Sequence, residues 1–397
     1  MARRIYISVY GSGLGHASRM TLLAERLRGN GYEVRLSSSL EATEYIRNHG
    51  FECDDIPSIE VGWNNKGEVS IRRTLKRFLP SLGIFSTQIS RETNNLRKFC
   101  PDLVISDSRL STVIAARRIG IPVYVILNQL KLIIPTPYES TLKNVGESFA
   151  AEILGKLWSR SEAIIIPDLP PPYTISEKNL QNIRSARRKM KYIGFISNDD
   201  TVHNDKIKQL SKKLSLDKDR IRIFVPISGP STTREVLKGI IFRLASKLRD
   251  QYCFIISGGD PNSNVRPLRI QGGWYYGWCP VRDELMKLSN IIIARSGHLT
   301  IAQSIIYGKP MLTIPIPNYT EQIKNSEKIV KLEIGIQVNQ SLDMSVNLQE
   351  AITNLVHNSH IQSRVKNLQR ISKKHDGLDT LVKLIEYRLR NITSHPQ

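Results

Sequence analysis

Two segments of the chain combine glycine with side chains that can exchange protons or donate hydrogen bonds. The first is the run G-x-G-x-G-H, which ends at His16 and follows the β-branched run Ile5–Val9. Glycines at such a place let the backbone turn tightly from a strand into a helix and leave the first helical amides open. An imidazole on this strand-to-helix turn lies where ligands of a parallel sheet bind, so we predict that His16 is a functional residue. The alternative is that His16 caps the helix or hydrogen-bonds a loop carbonyl.

Asp107 ends a second apolar run, Leu103–Ser106. Parallel strands end at one edge of their sheet, so we expect the Asp107 carboxylate beside His16. There it would hold the imidazole in one tautomer and raise its basicity. Asp107 is an equally good N-cap for the helix that follows, and the two roles do not exclude each other.

The second segment, R-S-G-H-L-T-I-A-Q, follows the predicted strand Ile291–Ala294. A Ser-Gly turn there opens a helix at about Leu299, which leaves amides free for a diphosphate and adds the hydroxyl of Thr300. Gln303 lies one turn further along and is placed for a ribose hydroxyl. Trp278 precedes a short Pro turn, where it either stacks on a base or fills the core, the commoner use of tryptophan.

Strands that alternate with helices must position these residues. The predicted class is therefore α/β, with two Rossmann-like domains facing a central cleft and C-terminal helices packing back. A length of 397 residues allows two to three domains of the usual size. The predicted division is an N-terminal domain over residues 1–168, a Pro-rich and basic linker over 169–190, a C-terminal domain over 191–375 and a final helix over 376–397.

The order and spacing of these segments resemble the UDP-dependent glycosyltransferases of the GT-B type, a superfamily that includes the MurG-like enzymes and archaeal members. The block from Arg295 to Asn325 carries the specific part of the resemblance. It implies a UDP-sugar donor held by the C-terminal domain, an acceptor held by the N-terminal domain, His16 as the base and Asp107 as its helper. The donor-binding residues predicted from the motifs and the resemblance together are Ser228, Gly229, Trp278, Arg295, Ser296, Gly297, His298, Leu299, Thr300, Gln303, Glu321 and Gln322. For the Ser228-Gly229 turn, a plain turn with a Ser/Thr cap is an equal alternative.

Two positions depart from the pattern of that superfamily. Gln303 stands where a Glu usually grips both ribose hydroxyls, and Val281 stands where a Gln often follows the Pro turn. An amide oxygen accepts hydrogen bonds on one side only. Both changes therefore bear on the identity of the nucleoside more than on the diphosphate.

The net charge of +21, from 57 Lys and Arg against 36 Asp and Glu, favours an anionic partner. Residues 71–85 alternate basic and apolar side chains at roughly helical spacing, a pattern typical of a segment that lies on anionic lipid. An ordinary helix with a solvated basic face is the alternative. The residues predicted to contact the acceptor or the membrane are Gly13, Gly15, Arg72, Arg73, Arg77 and Phe78.

Other features limit the compartment and the chemistry. The cysteines form no C-x-x-C pair, which indicates reduced thiols and a cytoplasmic protein. No run reaches the roughly 18 apolar residues of a membrane span, so any membrane contact is expected to be peripheral. The D-x-D run Asp217–Asp219 lies in a Lys-rich connection and is interpreted as solvated. We predict no metal ion and no cofactor.

The predicted activity is transfer of a hexosyl or N-acetylhexosaminyl group from a nucleotide sugar to a hydroxyl of a lipid-linked or membrane-proximal acceptor. Alternatives are a transferase acting on a soluble small molecule and a nucleotide-sugar 2-epimerase on the same fold. A dehydrogenase is disfavoured because the glycine run is one residue short of G-x-G-x-x-G. A nucleic-acid-binding protein is suggested only by the charge, since no aromatic platform is interleaved with Lys and Arg, and no nucleic acid is expected as a partner.

Overall fold

A computed structural model shows how these segments fold. Of the described residues, those up to Ser197 and those from His375 onward form one compact unit, and those between Asn198 and Lys374 form a second. The structure describes residues 2–59, 73, 78–130, 141–181, 183–197, 203–217, 219–340 and 345–392.

The first unit is a parallel sheet covered by helices. The strand order is β3-β2-β1-β4-β5-β6-β7, and every neighbouring pair is parallel. In chain order its described elements up to Ser197 are β1 (Arg4–Val9), α1 (Leu14–Gly29), β2 (Glu33–Ser38), α2 (Glu41–Asn48), β3 (Cys53–Asp55), α3 (Phe78–Phe99), β4 (Leu103–Asp107), α4 (Leu110–Arg118), β5 (Val123–Ile126), α5 (Thr141–Trp158), β6 (Ala163–Ile166), α6 (Glu177–Leu180), α7 (Arg184–Arg187) and β7 (Met190–Tyr192).

Alternation of side chains along β1 explains why both faces of this sheet are covered. Ile5 and Ile7 pack with residues of α1 and α2, whereas Tyr6 between them packs with residues of α3 and α4. A parallel sheet that is buried on both faces needs apolar residues at successive positions of its strands. The short β-branched run in the sequence meets that need.

The second unit repeats the design. Its sheet has the order β10-β11-β9-β8-β12-β13-β14, and only the pair β10–β11 is antiparallel. Its described elements are α8 (Asn204–Lys213), β8 (Ile221–Pro226), α9 (Ser231–Lys247), β9 (Tyr252–Ser257), β10 (Leu268–Ile270), β11 (Gly273–Tyr276), α10 (Arg282–Leu288), β12 (Ile291–Ala294), α11 (His298–Ile306), β13 (Met311–Thr313), α12 (Thr320–Lys331), β14 (Gly335–Gln337), α13 (Ser345–His357) and α14 (Ser359–Ser372).

Each sheet has a point at which the strand order changes direction. In the first unit this point lies between β1 and β4, and in the second between β8 and β12. Ligands of open α/β sheets bind at the carboxyl ends of the strands at such points. The loops after these four strands contain the glycine and serine turns that the sequence singles out.

The boundary between the units differs from the predicted one. The strand predicted over 191–196 as the start of the second domain is β7, which pairs with β6 in the first sheet, and the predicted linker 169–190 lies within the first unit. The reason is Asp168, whose buried carboxylate accepts from the amides of Leu169, Ile175 and Ser176. These bonds fold the Pro-rich segment into a compact turn instead of a linker.

The last helix, α15 (Gly377–Ile392), belongs to the first unit and packs against α1. Leu381, Ile385 and Leu389 are buried with the residues of β1 and α1, which confirms that the C-terminal segment packs back. None of the helices within the described ranges is long and apolar enough to cross a membrane.

Candidate functional site

The first unit brings together the two residues predicted as base and helper. Nδ1 of His16 lies 2.9 Å from Oδ1 of Asp107. Val9, the last residue of β1, is the register partner of Asp107 on β4. Only the short loop after Val9 separates this strand end from His16 in the first turn of α1. Gly13 precedes α1 with a φ of 83°, a conformation that glycine adopts without strain. The side chain of His16 is 22% exposed, whereas that of Asp107 is fully buried.

Arg19 completes this cluster and was missed in the sequence. Its Nε lies 2.6 Å from Oδ2 of Asp107 and its Nη2 lies 2.5 Å from Oδ1, a two-pronged contact. The same Nη2 is 3.0 Å from Nδ1 of His16. The available signal is spacing, because residues three apart on a helix share a face. Arg19 is therefore presented to the same carboxylate as His16.

The electrostatics keep Asp107 ionised. Burial alone would raise the pKa of Asp107, but the charges of Arg19 and His16 and their hydrogen bonds outweigh burial and lower it well below its usual range. An ionised carboxylate can accept an Nδ1–H from the imidazole, and the tautomer that carries this hydrogen keeps a lone pair on Nε2. In that tautomer the ring can act as a proton acceptor.

The capping alternatives are wrong. The N-cap position of α4 is occupied by Arg109, and that of α1 by Gly13; neither makes a side-chain capping bond. The side chains of Asp107 and His16 are instead directed to each other.

A second buried carboxylate, Glu92 on α3, also escaped the sequence analysis. Its oxygens accept from the hydroxyls of Tyr6 at 2.9 Å, Ser37 at 2.9 Å and Thr112 at 3.1 Å. Nη2 of Arg109 lies 3.3 Å away. These partners come from β1, β2 and α4, so Glu92 ties the strand that leads into the His16 loop to its neighbour β2 and to the helix that follows Asp107.

In the second unit, the start of α11 has the form expected of an anion site. Gly297 occupies the N-cap position and has no side chain that could cap the helix. The amides of the first turn have no partner within the helix, as in any α-helix. Such amides and the helix dipole favour a negative charge. His298 and Thr300 are buried there, while Leu299 is partly exposed. In the turn after the neighbouring strand β8, Ser228 is followed by Gly229, which has a φ of 106° and where a Cβ would also press on Thr233.

Two predicted donor-binding side chains serve the protein itself. Oγ of Ser296 donates to the carbonyl of Gln322 at 2.7 Å, and Oε1 of Gln322 accepts from the amide of Ile316 at 3.0 Å. Asn325 donates to the carbonyl of Ser296 at 3.1 Å. Both predicted side chains are buried, and their bonds tie the start of α11 to α12. Glu321 is partly exposed and accepts from Tyr319 at 3.1 Å.

Arg295 corrects a further prediction. Its side chain is 1% exposed, and its guanidinium donates to the carbonyls of Ile314 at 2.9 Å and Thr233 at 3.2 Å. Burial lowers the pKa of Arg295 to about 10. The guanidinium is thus enclosed between β12, the end of β13 and the start of α9. Two of its nitrogens thus hold the edge of the sheet together, so they serve the protein itself.

A polar cluster joins α10 to α11. Arg282 donates from Nη1 to Oε1 of Gln303 at 2.5 Å and from Nη2 to Oγ1 of Thr300 at 3.1 Å. Nε2 of Gln303 donates to Oδ1 of Asp283 at 2.9 Å. Trp278, just before α10, is partly exposed and so is not a buried core residue. Arg282 and Asp283 were missed because charged residues in the first turn of a helix usually face solvent.

Only some of the residues predicted to contact the acceptor or the membrane lie within the described part of the chain. Gly13 and Gly15 lie at the start of α1, and Arg73 is exposed. Arg72 and Arg77 lie outside the described residues, as does the side chain of Phe78, which begins α3. Over the described part of the chain, no group of three or more His, Cys, Asp or Glu residues is arranged to hold a metal ion.

Comparison with known proteins shows which protein family the two units resemble. Residues 3–166 match the model described as Glycosyl transferase family 1, and residues 227–381 match the Glycosyltransferase family 28 C-terminal domain. The chain belongs to the GT-B glycosyltransferase superfamily. It is therefore a transferase enzyme with two parallel-sheet units, as predicted.

Individual relatives agree with this assignment at different lengths. A Methanosarcina acetivorans protein named "Uncharacterized glycosyltransferase" is 28% identical over 399 residues, with 96% of this chain and 98% of the relative covered. A Flavobacterium psychrophilum UDP-N-acetylglucosamine–N-acetylmuramyl-(pentapeptide) pyrophosphoryl-undecaprenol N-acetylglucosamine transferase is 28% identical over 109 residues, or 26% of this chain and 30% of the relative. Among solved structures, spinosyn rhamnosyltransferase SpnG complexed with thymidine diphosphate is similar in fold, with a TM-score of 0.67, 12% identity and coverage of 97% of this chain and 100% of that one.

Proposed function

We propose that this glycosyltransferase moves a sugar from a nucleoside diphosphate sugar, a UDP-sugar, to a hydroxyl of a lipid-linked or membrane-proximal acceptor without a metal ion. The observation that carries the proposal is the 2.9 Å contact between His16 and Asp107 at the point where the strand order of the first sheet changes direction. Transfer to a hydroxyl needs a base, and this pair supplies one.

In the proposed step, Nε2 of His16 takes the proton of the acceptor hydroxyl. The acceptor oxygen forms a bond to the anomeric carbon, and the bond from that carbon to the diphosphate oxygen breaks with its electron pair. The resulting imidazolium is stabilised by the ionised Asp107, which Arg19 keeps in place. The nucleoside diphosphate leaves with one more negative charge than it carried in the donor, because its oxygen keeps the electron pair of the broken bond.

The second unit is the proposed donor site. The amides at the start of α11 and the hydroxyl of Thr300 are suited to the diphosphate, and the partly exposed face of Trp278 is suited to the base. The name of the Flavobacterium relative supports a UDP-sugar, whereas the SpnG complex contains thymidine diphosphate. Both nucleotides share the diphosphate that the start of α11 would bind.

The proposed acceptor rests on charge, exposed apolar side chains and that partial relative, whose name includes a pyrophosphoryl-undecaprenol. The chain carries a net charge of +21. In the first unit, Leu82 on α3 and Phe149 and Ile153 on α5 are exposed by 53%, 69% and 45%. Apolar side chains on a basic protein favour peripheral binding to anionic lipid. We place the enzyme at the cytoplasmic face of a membrane, where nucleotide sugars and reduced thiols are found.

A panel of UDP-, dTDP- and GDP-sugars tests the donor. We expect one nucleotide class to raise the melting temperature selectively and to be consumed when a membrane lipid extract is supplied, with the sugar recovered on lipid. Conversion of the donor alone to an epimer would establish the epimerase instead. Transfer only to soluble alcohols would refute the lipid acceptor, and no stabilisation by any nucleotide sugar would refute the proposal.

A further inference from the structure

The cluster of Arg282, Asp283, Thr300 and Gln303 occupies one side of α11 next to its first turn. Thr300 and Gln303 lie three residues apart on that helix, so they share a face. Arg282 reaches across from α10 and touches both, through Oγ1 of Thr300 and Oε1 of Gln303. Thr300 and Gln303 are both buried, 5% and 7% exposed, whereas Arg282 keeps part of its surface open to solvent.

The order along the helix matters. The first-turn amides and Thr300 come first, and Gln303 follows one turn later. The guanidinium of Arg282 spans these two levels. A guanidinium has donors fixed in a plane, which suits it to bind a phosphate while it keeps contacts to neutral oxygens.

We propose that Arg282 binds the donor diphosphate, on the phosphate next to the nucleoside, and that Gln303 is a positioning residue that holds Arg282 instead of binding ribose. This inference rests on the proposed function, in which α11 binds a nucleoside diphosphate sugar. Arg295, the cation first predicted for the diphosphate, is enclosed by main-chain carbonyls. Arg282 is the cation that contacts Thr300, the hydroxyl at the proposed diphosphate position.

The inference explains why an amide suits position 303. The oxygen of Gln303 accepts from Arg282 at 2.5 Å, and its nitrogen donates to Asp283. A carboxylate at the same place would repel Asp283 and add a negative charge beside the phosphate. Gln303→Glu should therefore weaken binding of a diphosphate and spare binding of the nucleoside alone.

Calorimetric titration of the full-length protein with UDP and with uridine tests this, and dTDP with thymidine is the second pair. For Arg282→Gln, we expect the Kd of the nucleoside diphosphate to rise about 10- to 100-fold, the loss typical of a charge-assisted contact. The Kd of the nucleoside should change less than about threefold. Arg282→Lys keeps the charge without the fork and should fall between wild type and Arg282→Gln.

Two further variants sharpen the outcome. Arg249→Gln removes an exposed arginine of the same unit and should leave both Kd values unchanged. Gln303→Ala removes the oxygen that holds Arg282 without adding a charge, so it should weaken UDP binding in the wild-type background and have little further effect in Arg282→Gln.

The outcomes separate the two proposals. An unchanged Kd for UDP in Arg282→Gln, or an equal loss for UDP and uridine, overturns the role of Arg282. A wild-type protein that binds neither UDP nor dTDP overturns the proposed donor function itself.

Discussion

At the scale of single residues, Arg19 changes how the base should be understood. If Asp107 were paired only with an imidazole, its whole negative charge would be available to stabilise the protonated ring. Here the carboxylate of Asp107 is also gripped by two nitrogens of Arg19, so part of its charge is already compensated. In the proposed step, Asp107 therefore serves mainly to hold the tautomer and orientation of His16.

Replacing Asp107 by Asn should show both effects of that pairing. Arg19 is only 5% exposed, and removing its carboxylate leaves a buried cation, which costs about 3–5 kcal/mol in the free energy of unfolding. Sugar transfer should fall by about 10²- to 10⁴-fold because the neutral amide no longer stabilises the imidazolium and its NH2 can hold the wrong tautomer. Urea unfolding and transfer rates measure the two losses. Asp54→Asn, which breaks a partly exposed pair with Arg35, is the control and should cost at most about 1 kcal/mol.

The stability effect of Asp107 should depend on pH in one direction. Its pKa is lower in the folded chain than in the unfolded chain. Its contribution is therefore fully present above the unfolded pKa of about 3.9 and is lost as the pH falls through the folded pKa. The gap in stability between wild type and Asp107→Asn should be constant from about pH 7 to 5 and shrink below about pH 4. A gap that widens in acid would contradict the pairing.

The cysteines make a second prediction at this scale. Cys53, Cys253 and Cys279 are buried, and burial raises the pKa of Cys53 and of Cys279 to about 12. A thiolate is needed for alkylation, so these thiols should be inert in the folded protein. Cys100 is exposed. Mass spectrometry after brief iodoacetamide treatment should find one modified site, at Cys100; rapid labelling of Cys279 would contradict the buried turn before α10.

At the scale of elements, the strands that carry the sites are the ones best predicted from sequence. The predicted run Ile291–Ala294 is β12 as observed, and Ile5–Val9 differs from β1 by one residue. Buried parallel strands require apolar side chains on both faces, and that requirement is visible in the sequence. The Ser-Gly turn before α11 was found for the same reason, since it follows such a strand.

The contacts that were missed depend on residues far apart in the chain. Arg19 and Asp107, 88 residues apart in the sequence, meet because β1 and β4 are neighbours. Asp168 turns a Pro-rich segment into a folded part of the first unit, where composition alone suggested a linker. Arg295 was predicted to stabilise the diphosphate together with the amides at the start of the next helix, yet it donates to carbonyls of two other elements.

The C-terminal helix α15 offers a test of the first unit's core. Ile385 is fully buried against the sheet, so Ile385→Ala should lower the free energy of unfolding by about 2–5 kcal/mol. Tyr387 on the same helix is 68% exposed, and Tyr387→Ala should change it by about 0.5 kcal/mol or less. Equal effects of the two substitutions in urea unfolding would show that α15 does not pack as described.

At the scale of the whole molecule, the charge of +21 exceeds what one diphosphate needs. The proposed membrane surface accounts for the excess only if apolar side chains join the basic ones. Phe149 and Ile153, four residues apart on α5, are the exposed pair best suited to enter lipid.

Flotation with liposomes tests that surface. Wild type should float with vesicles that contain anionic phosphatidylglycerol and be released as salt rises, because screening weakens attraction at the lipid surface. The double variant Phe149→Asp, Ile153→Asp should bind these vesicles about tenfold more weakly or worse than wild type, since two apolar side chains become charged. Val265→Asp, at an exposed site in the second unit, is the matched control and should bind like wild type. Binding that ignores salt and both changes would refute the membrane surface.

The transfer rate of His16→Ala tests the proposed chemistry most directly. Release of nucleoside diphosphate from the donor selected in the panel is followed with a membrane lipid extract as acceptor. We predict a rate about 10²- to 10⁴-fold below wild type, with the Kd of the nucleoside diphosphate within about twofold, because the base is lost while the donor site in the second unit is intact. A folded His16→Ala protein that transfers sugar at the wild-type rate would contradict His16 as the base.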